Sequence, residues 1–125
     1  MYPEGKGREE KMTPDVEIIE VSPRDGIQNE KTILSVEDRL ALIRMAAEAG
    51  AARIEAVSFV NPKRVPQMAH AEEICAAIPA MKAAMKGTRG EATRMIALAL
   101  NRKGFDRALA MTEAHPGCLD EVNYI

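Results

Sequence analysis

The sequence predicts an α/β fold in which parallel strands alternate with helices. Short apolar segments recur along the chain, and each is followed by a loop and then by a stretch with helical periodicity. Predicted strands start at positions 16, 53, 93 and 121, so successive units are 37, 40 and 28 residues long. A (β/α)8 barrel uses about 31 residues for each unit, and the chain therefore holds about half of such a barrel. A small doubly wound sheet is the alternative that fits the same alternation.

The first unit combines an apolar strand with a helix whose two ends are marked in the sequence. Residues 16–21 (VEIIEV) are apolar and β-branched, and a polar loop at 22–34 follows them. Ser35 with Asp38 three positions later resembles a capping box, which predicts a helix start, and Gly50 predicts the helix end. The apolar stripe of this helix consists of Val36, Leu40, Ile43 and Ala47.

The later units follow the same pattern. The predicted strands are residues 53–60 (RIEAVSFV), 93–100 (TRMIALAL) and 121–125 (EVNYI). The predicted helices are residues 71–78, with an extension into the MKAAMK stretch left open, and residues 103–111. Residues 87–92 (GTRGEA), which contain two glycines, are predicted to form a flexible break between units.

Bulk composition argues against several classes of protein. Hydrophobic residues make up 46% of the 125-residue chain, which is enough for a core, but no apolar run approaches the ~18 residues of a membrane span. The 17 basic and 19 acidic residues give no electrostatic basis for binding nucleic acid or an anionic membrane.

Cys75 and Cys118 have no metal-binding spacing, and two free thiols favour a reduced, cytoplasmic location. Residues 1–14 lack the apolar core of a signal peptide, so we expect a flexible tail before one domain at 15–125.

Polar side chains that are able to carry chemistry occur where the predicted strands end. The set consists of Arg24 and Asp25 after the first strand, Glu55 and Ser58 in the second strand, and Asn101 after the third. Active sites in parallel α/β folds lie at the carboxyl ends of the strands. We therefore expect these side chains to converge on one face of the fold.

The residue types allow both a catalytic and a purely structural interpretation. Asp25 precedes a glycine that lets backbone approach closely, and its carboxylate is suited to a hard divalent cation. Arg24 is a permanent, forked cation suited to a carboxylate or a developing enolate oxygen, and Glu55 is placed to orient it. On residue types alone, a loop ion pair without chemistry is the simpler interpretation. Ser58 lacks a GxSxG elbow and is more typical of a satisfied hydroxyl than of a nucleophile.

Three segments of the chain resemble the hydroxymethylglutaryl-CoA (HMG-CoA) lyase family. They are VEIIEVSPRDGIQNEK, IEAVSFVNPKRVPQMA and ALNRKGFDRALA, and the resemblance extends from residue 16 to the end of the chain. The resemblance implies a (β/α)8 (TIM) barrel, of which this chain is the first half, ending at strand four. It also implies a divalent metal, Mg²⁺ or Mn²⁺, and cleavage of HMG-CoA to acetoacetate and acetyl-CoA in leucine degradation.

The same resemblance implies roles for six residues. Asp25 would be the metal ligand from the first strand. Arg24 and Glu55 would be catalytic, with Arg24 steadying an enolate-like transition state. The residues of the substrate pocket would be Gln28, Ser58 and Asn101. The partner implied is an acyl-CoA thioester, without nucleic acid or membrane, and a homo-oligomer is left open.

The chain also departs from the family pattern. Ser22 stands where Gly is commoner, and Ala99-Leu100 stands where a Thr-Pro pair is usual. The HxH pair, the Asn ligand and the catalytic Cys that the family supplies from the second half of the barrel are missing from this sequence. His115 and Cys118 precede the fourth strand and do not correspond to those residues. We therefore expect the chain by itself to be inactive.

Two other functions compete with the lyase. The first is a Claisen-type condensing acyltransferase of the same superfamily. Such enzymes typically carry Gly-Glu-Gln after the Arg-Asp pair, where this chain has Gly26-Ile27-Gln28, and this difference favours the lyase. The second is a non-catalytic half-barrel that associates with itself through exposed edges at strands one and four.

Overall fold

A computed structural model of the chain describes residues 15–125, and it confirms the alternation of strands and helices. The strands are β1 (Ile19–Glu20), β2 (Arg53–Phe59), β3 (Arg94–Ala99) and β4 (Glu121–Tyr124). The helices are α1 (Asp25–Gln28), α2 (Val36–Glu48), α3 (Ala71–Ala84) and α4 (Arg102–Ala114), with short 3-10 turns at Pro66–Met68 and Arg89–Ala92. All neighbouring strands pair in parallel in the order β1-β2-β3-β4. The tail predicted at residues 1–14 lies outside the described residues.

The ends of α2 lie where the sequence predicts them. The Ser35 hydroxyl accepts a hydrogen bond from the amide of Asp38 at 3.0 Å, which satisfies one of the free donors of the first turn. At the other end, Gly50 has a φ of +103°, a conformation that L side chains rarely adopt.

No helix in residues 15–125 combines the length and apolar character needed to cross a membrane.

The first strand is shorter than predicted. Only Ile19 and Glu20 pair with β2, whereas the sequence predicts a strand over 16–21. The chain turns directly afterwards, because the Val21 carbonyl accepts hydrogen bonds from three successive amides, those of residues 24, 25 and 26. Before the strand, Val16 and Ile18 are 75% and 79% exposed and lie beyond the register of β2.

The prediction of a flexible break at residues 87–92 is wrong. Residues 89–92 form a 3-10 turn that packs against α2, and the Thr88 hydroxyl caps the turn at the amide of Gly90. A Cβ on Gly90 would lie 2.6 Å from Met85 Sδ and 3.2 Å from Ala47, so this glycine is needed for close packing. The two glycines of the segment therefore mark a tight corner.

A β-bulge in β2 gives the sheet two chemically different faces. Glu55 pairs with Ile96 and Val57 with Ala97, so one residue of β2 is left over between them. The face toward the helices carries the apolar core, which includes Ile54, Val57, Phe59, Met95 and Ala97. The opposite face, called here the inner face, carries Glu55, Ser58, Ile96 and Leu98. Without the bulge, Glu55 and Ser58 would point to opposite faces, because they are three positions apart and side chains alternate along a strand.

The amino-terminal end of the inner face carries a charged network that joins β2, β3 and β4 to the segment just before β1. Arg53 on β2 donates to Glu17 and to Glu121, and Arg94 on β3 lies 3.3 Å from Glu121 on β4. The hydrogen bonds to both carboxylates raise the pKa of Arg53. These charged side chains thus pair with one another at the amino-terminal end of the sheet. The candidate site lies at the other end, where the strands have their carboxyl termini.

Candidate active site at the carboxyl ends of the strands

An ion pair between the first two strands forms the centre of the candidate site. Arg24 Nε donates to Glu55 Oε1 at 2.5 Å, and the side chains are only 17% and 9% exposed. The turn at the Val21 carbonyl directs Arg24 toward β2, while the bulge keeps Glu55 on the inner face. The structure therefore brings together the two residues that the sequence predicts to be catalytic.

Two more predicted residues lie around the same guanidinium. Arg24 Nη1 donates to Gln28 Oε1 at 3.1 Å, one turn along α1, and lies 3.4 Å from Asp25 Oδ1. The Asp25 side chain is 59% exposed and has no stronger ion pair in the part of the chain that the structure describes. The Arg24 guanidinium therefore lies next to the Glu55 carboxylate, the Gln28 amide and the solvent-exposed Asp25 carboxylate. Arg24 Nη2 has no hydrogen-bond partner among residues 15–125.

Ser58 lies on the same face with its hydroxyl unsatisfied. The residue is 1% exposed, and Oγ has no hydrogen-bond partner among the residues that the structure describes. The expectation of a satisfied core hydroxyl is therefore not met. A buried hydroxyl without a partner costs about 1–3 kcal/mol, so a group that pairs with it would recover that energy. Ser58 is thus available to a ligand at the inner face.

Asn101 has a structural role that the sequence analysis did not consider. It is the N-cap of α4, and its Oδ1 accepts a hydrogen bond from the Gly104 amide at 2.8 Å. Gly104 in turn allows the helix to approach β2, since a Cβ there would lie 2.3 Å from the Phe59 carbonyl oxygen. No hydrogen bond joins the Asn101 side chain to Arg24 or Glu55 within the described residues. Its substrate role stays a prediction.

The residues present suit a divalent metal only in part. Asp25 offers a carboxylate with an open solvent side, which is the donor type that Mg²⁺ and Mn²⁺ prefer. Residues 15–125 contain no group of three or more His, Cys, Asp or Glu side chains arranged to hold a metal ion. Tight binding would therefore require ligands beyond those in this segment.

The two cysteines are structural in the described fold. Cys75 and Cys118 are both fully buried in the core cluster, and the Cys118 thiol faces the Met111 carbonyl at 3.5 Å. Burial raises the pKa of both thiols. The position of Cys118 after a turn therefore does not carry its thiol to the surface.

Comparisons with known proteins agree with the geometry. The human mitochondrial HMG-CoA lyase is 43% identical over 96 residues, which are 76% of this chain and 26% of that protein. The Pseudomonas mevalonii HMG-CoA lyase is 41% identical over 93 residues, 74% of this chain and 28% of that protein. The solved HMG-CoA lyase from Brucella melitensis superposes with a TM-score of 0.69 and 39% identity, covering 87% of this chain and 33% of that one. No protein-family model matches the chain.

Over this segment, the chain belongs to the HMG-CoA lyase family. It spans about a fifth to a third of the length of the family members it matches. Its four parallel strands and the helices between them are those of the first half of a TIM barrel, which decides against the doubly wound sheet. A solved relative from Acinetobacter baumannii, at a TM-score of 0.69 and 33% identity, is a complex with coenzyme A and 3-methylmalate and covers 86% of this chain and 30% of that one.

The structure adds residues that the sequence analysis missed. Asn123 on β4 pairs with Leu98, which pairs with Ser58, so all three share one row of the inner face. The alternation of residues in EVNYI does not predict which face of the sheet Asn123 lies on. The register of β4 against β3 decides this. The Arg107–Glu72 ion pair, at 2.7 Å, joins α4 to α3 beside the site and gave no sequence signal, because 35 residues separate its members.

Proposed function

We propose that this chain provides the amino-terminal β/α units of a metal-dependent carbon–carbon lyase. The substrate would be a 3-hydroxyacyl-CoA such as HMG-CoA, and the products would be acetyl-CoA and a keto acid, acetoacetate. The observation that carries the proposal is the Arg24–Glu55 pair with Asp25 and Gln28 around it, in a segment 39% to 43% identical to known HMG-CoA lyases.

The chemistry of these residues matches the needs of the reaction. Cleavage of the carbon–carbon bond beside a tertiary alcohol transfers the hydroxyl proton to a base and leaves a thioester enolate, which takes up a proton to give acetyl-CoA. A divalent cation held through Asp25 would lower the pKa of that hydroxyl. Arg24 Nη2, which has no partner in the described chain, is suited to donate a hydrogen bond to the enolate oxygen. Glu55 and Gln28 hold the guanidinium in place, so little reorganisation is needed during the reaction.

The inner face would complete the pocket. The buried Ser58 hydroxyl would gain its missing hydrogen bond from a polar group of the acyl chain. Ile96 and Leu98 beside it are buried and apolar, which excludes water from the reacting end. The alternative of a Claisen-type condensing enzyme is less favoured, because Ile27 stands where those relatives carry Glu. A cytoplasmic location stays a prediction, and the names of the mammalian relatives describe them as mitochondrial.

A chimeric enzyme tests the proposal. Residues 15–125 would replace the matching part of the Brucella melitensis HMG-CoA lyase, and acetoacetate release from HMG-CoA would be measured with and without Mn²⁺. We expect metal-dependent activity that falls at least about 100-fold in Arg24→Gln, which removes a preorganised charge at the transition state. Asp25→Asn should require more metal, while Asp106→Asn, an exposed change of the same charge, should behave as the parent. A folded chimera without activity would overturn the proposal.

A further inference from the structure

The helix that carries most of the candidate site residues is a single turn without an anchor in the core. Helix α1 contains four residues, and none of its side chains is fully buried. A helix this short is not stable by itself in water. Its start is held by the hydrogen bonds to the Val21 carbonyl and by the Arg24–Glu55 pair. The position of its other end, and with it of Asp25 and Gln28, depends on contacts with the rest of the chain.

One side chain from the loop after β2 holds that other end. Gln67 Nε2 donates a hydrogen bond to the Glu30 carbonyl oxygen at 2.6 Å, just beyond the last residue of α1, Gln28. The Glu30 amide donates in turn to the Ile27 carbonyl at 3.1 Å, which joins this contact to the helix. Gln67 lies in the 3-10 turn Pro66–Met68, and this turn packs against α1. The segment after the first strand is therefore fixed by the segment after the second.

A buried arginine on α2 holds the 3-10 turn in place. Arg39 is 2% exposed, and its Nη1 donates to the carbonyl of Ala69, directly after the turn, at 2.5 Å. Its Nη2 lies 4.0 Å from the sulfur of Met68, which is itself buried. Pro66 has a fixed φ at the start of the turn. The Gln67 backbone between these two points therefore has little freedom once Ala69 is held.

The charge of Arg39 is unusual for such a buried position. Among residues 15–125, its guanidinium has no carboxylate within 4.0 Å, and its Nε has no hydrogen-bond partner. Burial lowers the pKa of this guanidinium. A buried charge without a counter-charge costs stability relative to an apolar side chain of similar length. The contribution of Arg39 is therefore to the position of the loop rather than to the free energy of unfolding.

We propose that Arg39 and Gln67 are positioning residues for the candidate active site. Arg39 holds the 3-10 turn against α2, and Gln67 on that turn holds the end of α1. Helix α1 then presents Arg24 and Asp25 to the ligand. No hydrogen bond joins Arg39 or Gln67 to the Arg24 side chain within the described residues, so both act through the backbone of α1. The reaction that they serve rests on the proposed function, whereas the coupling of the two loops rests on these hydrogen bonds alone.

Amide hydrogen exchange of the 125-residue chain, followed by NMR, tests the coupling without any catalysis. Arg39→Met keeps the length of the side chain and removes its charge and its donors. We expect the amides of Gln28 and Glu30 to exchange about 3- to 10-fold faster in this variant, because their segment opens more often. Amides of α4, which lies away from these loops, should keep their rates. Gln67→Met should give the same local change.

A matched control and a stability measurement separate positioning from folding. Arg44→Met is the same substitution at an exposed arginine of the same helix, and it should leave the exchange of Gln28 and Glu30 unchanged. Arg39→Met should unfold in denaturant with a free energy equal to or above that of the parent, because it removes an unpaired buried charge. Unchanged exchange at Gln28 and Glu30, or a uniform acceleration of all amides with reduced stability, would overturn the proposal.

Activity in the chimera described above gives an independent result. Arg39→Met and Gln67→Met should each lower kcat about 3- to 10-fold, because α1 places the reacting groups less well. The KM for HMG-CoA should stay within about 2-fold, since neither side chain touches the substrate. Arg39→Lys retains a donor for the Ala69 carbonyl and should recover most of the lost kcat. Arg44→Met should behave as the parent.

The two proposals fail separately. Faster local exchange in both Met variants, together with an inactive chimera, would keep the positioning contacts and remove the lyase function. An active chimera whose kcat is the same in the parent, Arg39→Met and Gln67→Met would keep the lyase and remove the positioning role.

Discussion

Arg24 and Glu55 are 31 residues apart in the sequence, yet Arg24 Nε lies 2.5 Å from Glu55 Oε1. Neither side chain reaches the other by local structure. The tight turn after β1 directs Arg24 across the end of β2, and the parallel register of β1 and β2 brings that turn beside Glu55. The Arg24–Glu55 contact therefore results from the pairing of the two strands. It stabilises the site and holds the charged guanidinium of Arg24 in place there.

Removing one member of this pair should destabilise the fold. We expect Glu55→Gln to lower the free energy of unfolding by about 1–3 kcal/mol, because a hydrogen bond to a charged group is lost in a largely buried place. Glu113→Gln, at an exposed position without an ion pair among the described residues, should change it by less than about 0.5 kcal/mol. Chemical denaturation measures both.

A double-mutant cycle separates the pair from its surroundings. Arg24→Gln and Glu55→Gln should show a coupling energy of about 0.5–3 kcal/mol when combined. Strict additivity of the two single variants would mean that the contact contributes nothing to stability.

Gly104→Ala should destabilise the chain even though it lies in a helix. Alanine normally stabilises a helical position by about 1 kcal/mol relative to glycine, but here its Cβ would lie 2.3 Å from the Phe59 carbonyl oxygen. The backbone at Phe59 cannot move aside without an energetic cost. We therefore expect the free energy of unfolding, measured with denaturant, to fall by about 1–3 kcal/mol. Ala110→Gly, at an exposed position of the same helix, should lose only about 1 kcal/mol through helix propensity. A stabilised Gly104→Ala variant would contradict the close approach of α4 to β2.

The Glu72–Arg107 pair should make stability depend on pH in the acid range. The hydrogen bond from Arg107 lowers the pKa of Glu72, so the folded state holds this carboxylate ionised more strongly than the unfolded state does. The resulting stability is present above the unfolded value of about 4.3 and is lost as the pH falls through the folded pKa. Glu72 is 42% exposed, and we expect a contribution below about 1 kcal/mol after solvent screening.

The measurement compares parent and Glu72→Gln between pH 7 and pH 3. Their unfolding free energies should differ at pH 7 and converge as the pH falls. A constant difference over this range would show that Glu72 acts through packing alone.

The buried thiols should give the opposite behaviour at alkaline pH. Burial raises the pKa of Cys75 and Cys118, so the unfolded chain releases these protons at a lower pH than the folded chain does. Stability linked to them is complete below the unfolded pKa of about 8.5 and falls as the pH rises above it. Native chain should therefore react slowly with a thiol reagent at pH 8, and chain unfolded in guanidinium should react at once.

Cys75→Ala should flatten the loss of stability between pH 8 and pH 10. Lysines and tyrosines also titrate there, so the comparison is the difference between the variant and the parent. Fast labelling of the native chain would contradict the burial of both thiols.

Exposed sheet edges should make the chain associate with itself. Within residues 15–125, β1 and β4 are the two edges of the sheet, and Val16 and Ile18 are largely exposed beside β1. We expect sedimentation velocity to show a mass that rises with concentration, and Ile18→Lys to reduce it. Met45→Lys changes another largely exposed apolar residue, on α2, and should have no such effect. A monomer at every concentration would contradict this expectation.

The sequence by itself determined the features that depend on nearby residues. The alternation of apolar strands and amphipathic helices, the Ser35 cap and the Gly50 terminus all follow from interactions within one or two turns of chain. The position of Arg24 and Asp25 at the end of a strand was predictable for the same reason. Residue identity in those segments also indicates the family.

Only the tertiary structure decided which side chains meet. The bulge that places Ser58 on the face of Glu55 exists because β2 is paired with β3, and an odd spacing in sequence predicts the opposite. The tight packing of residues 89–92 and the burial of Cys118 likewise arise from contacts between distant segments. Local propensity carries no information about such contacts, because their energy appears only when the strands and helices pack together.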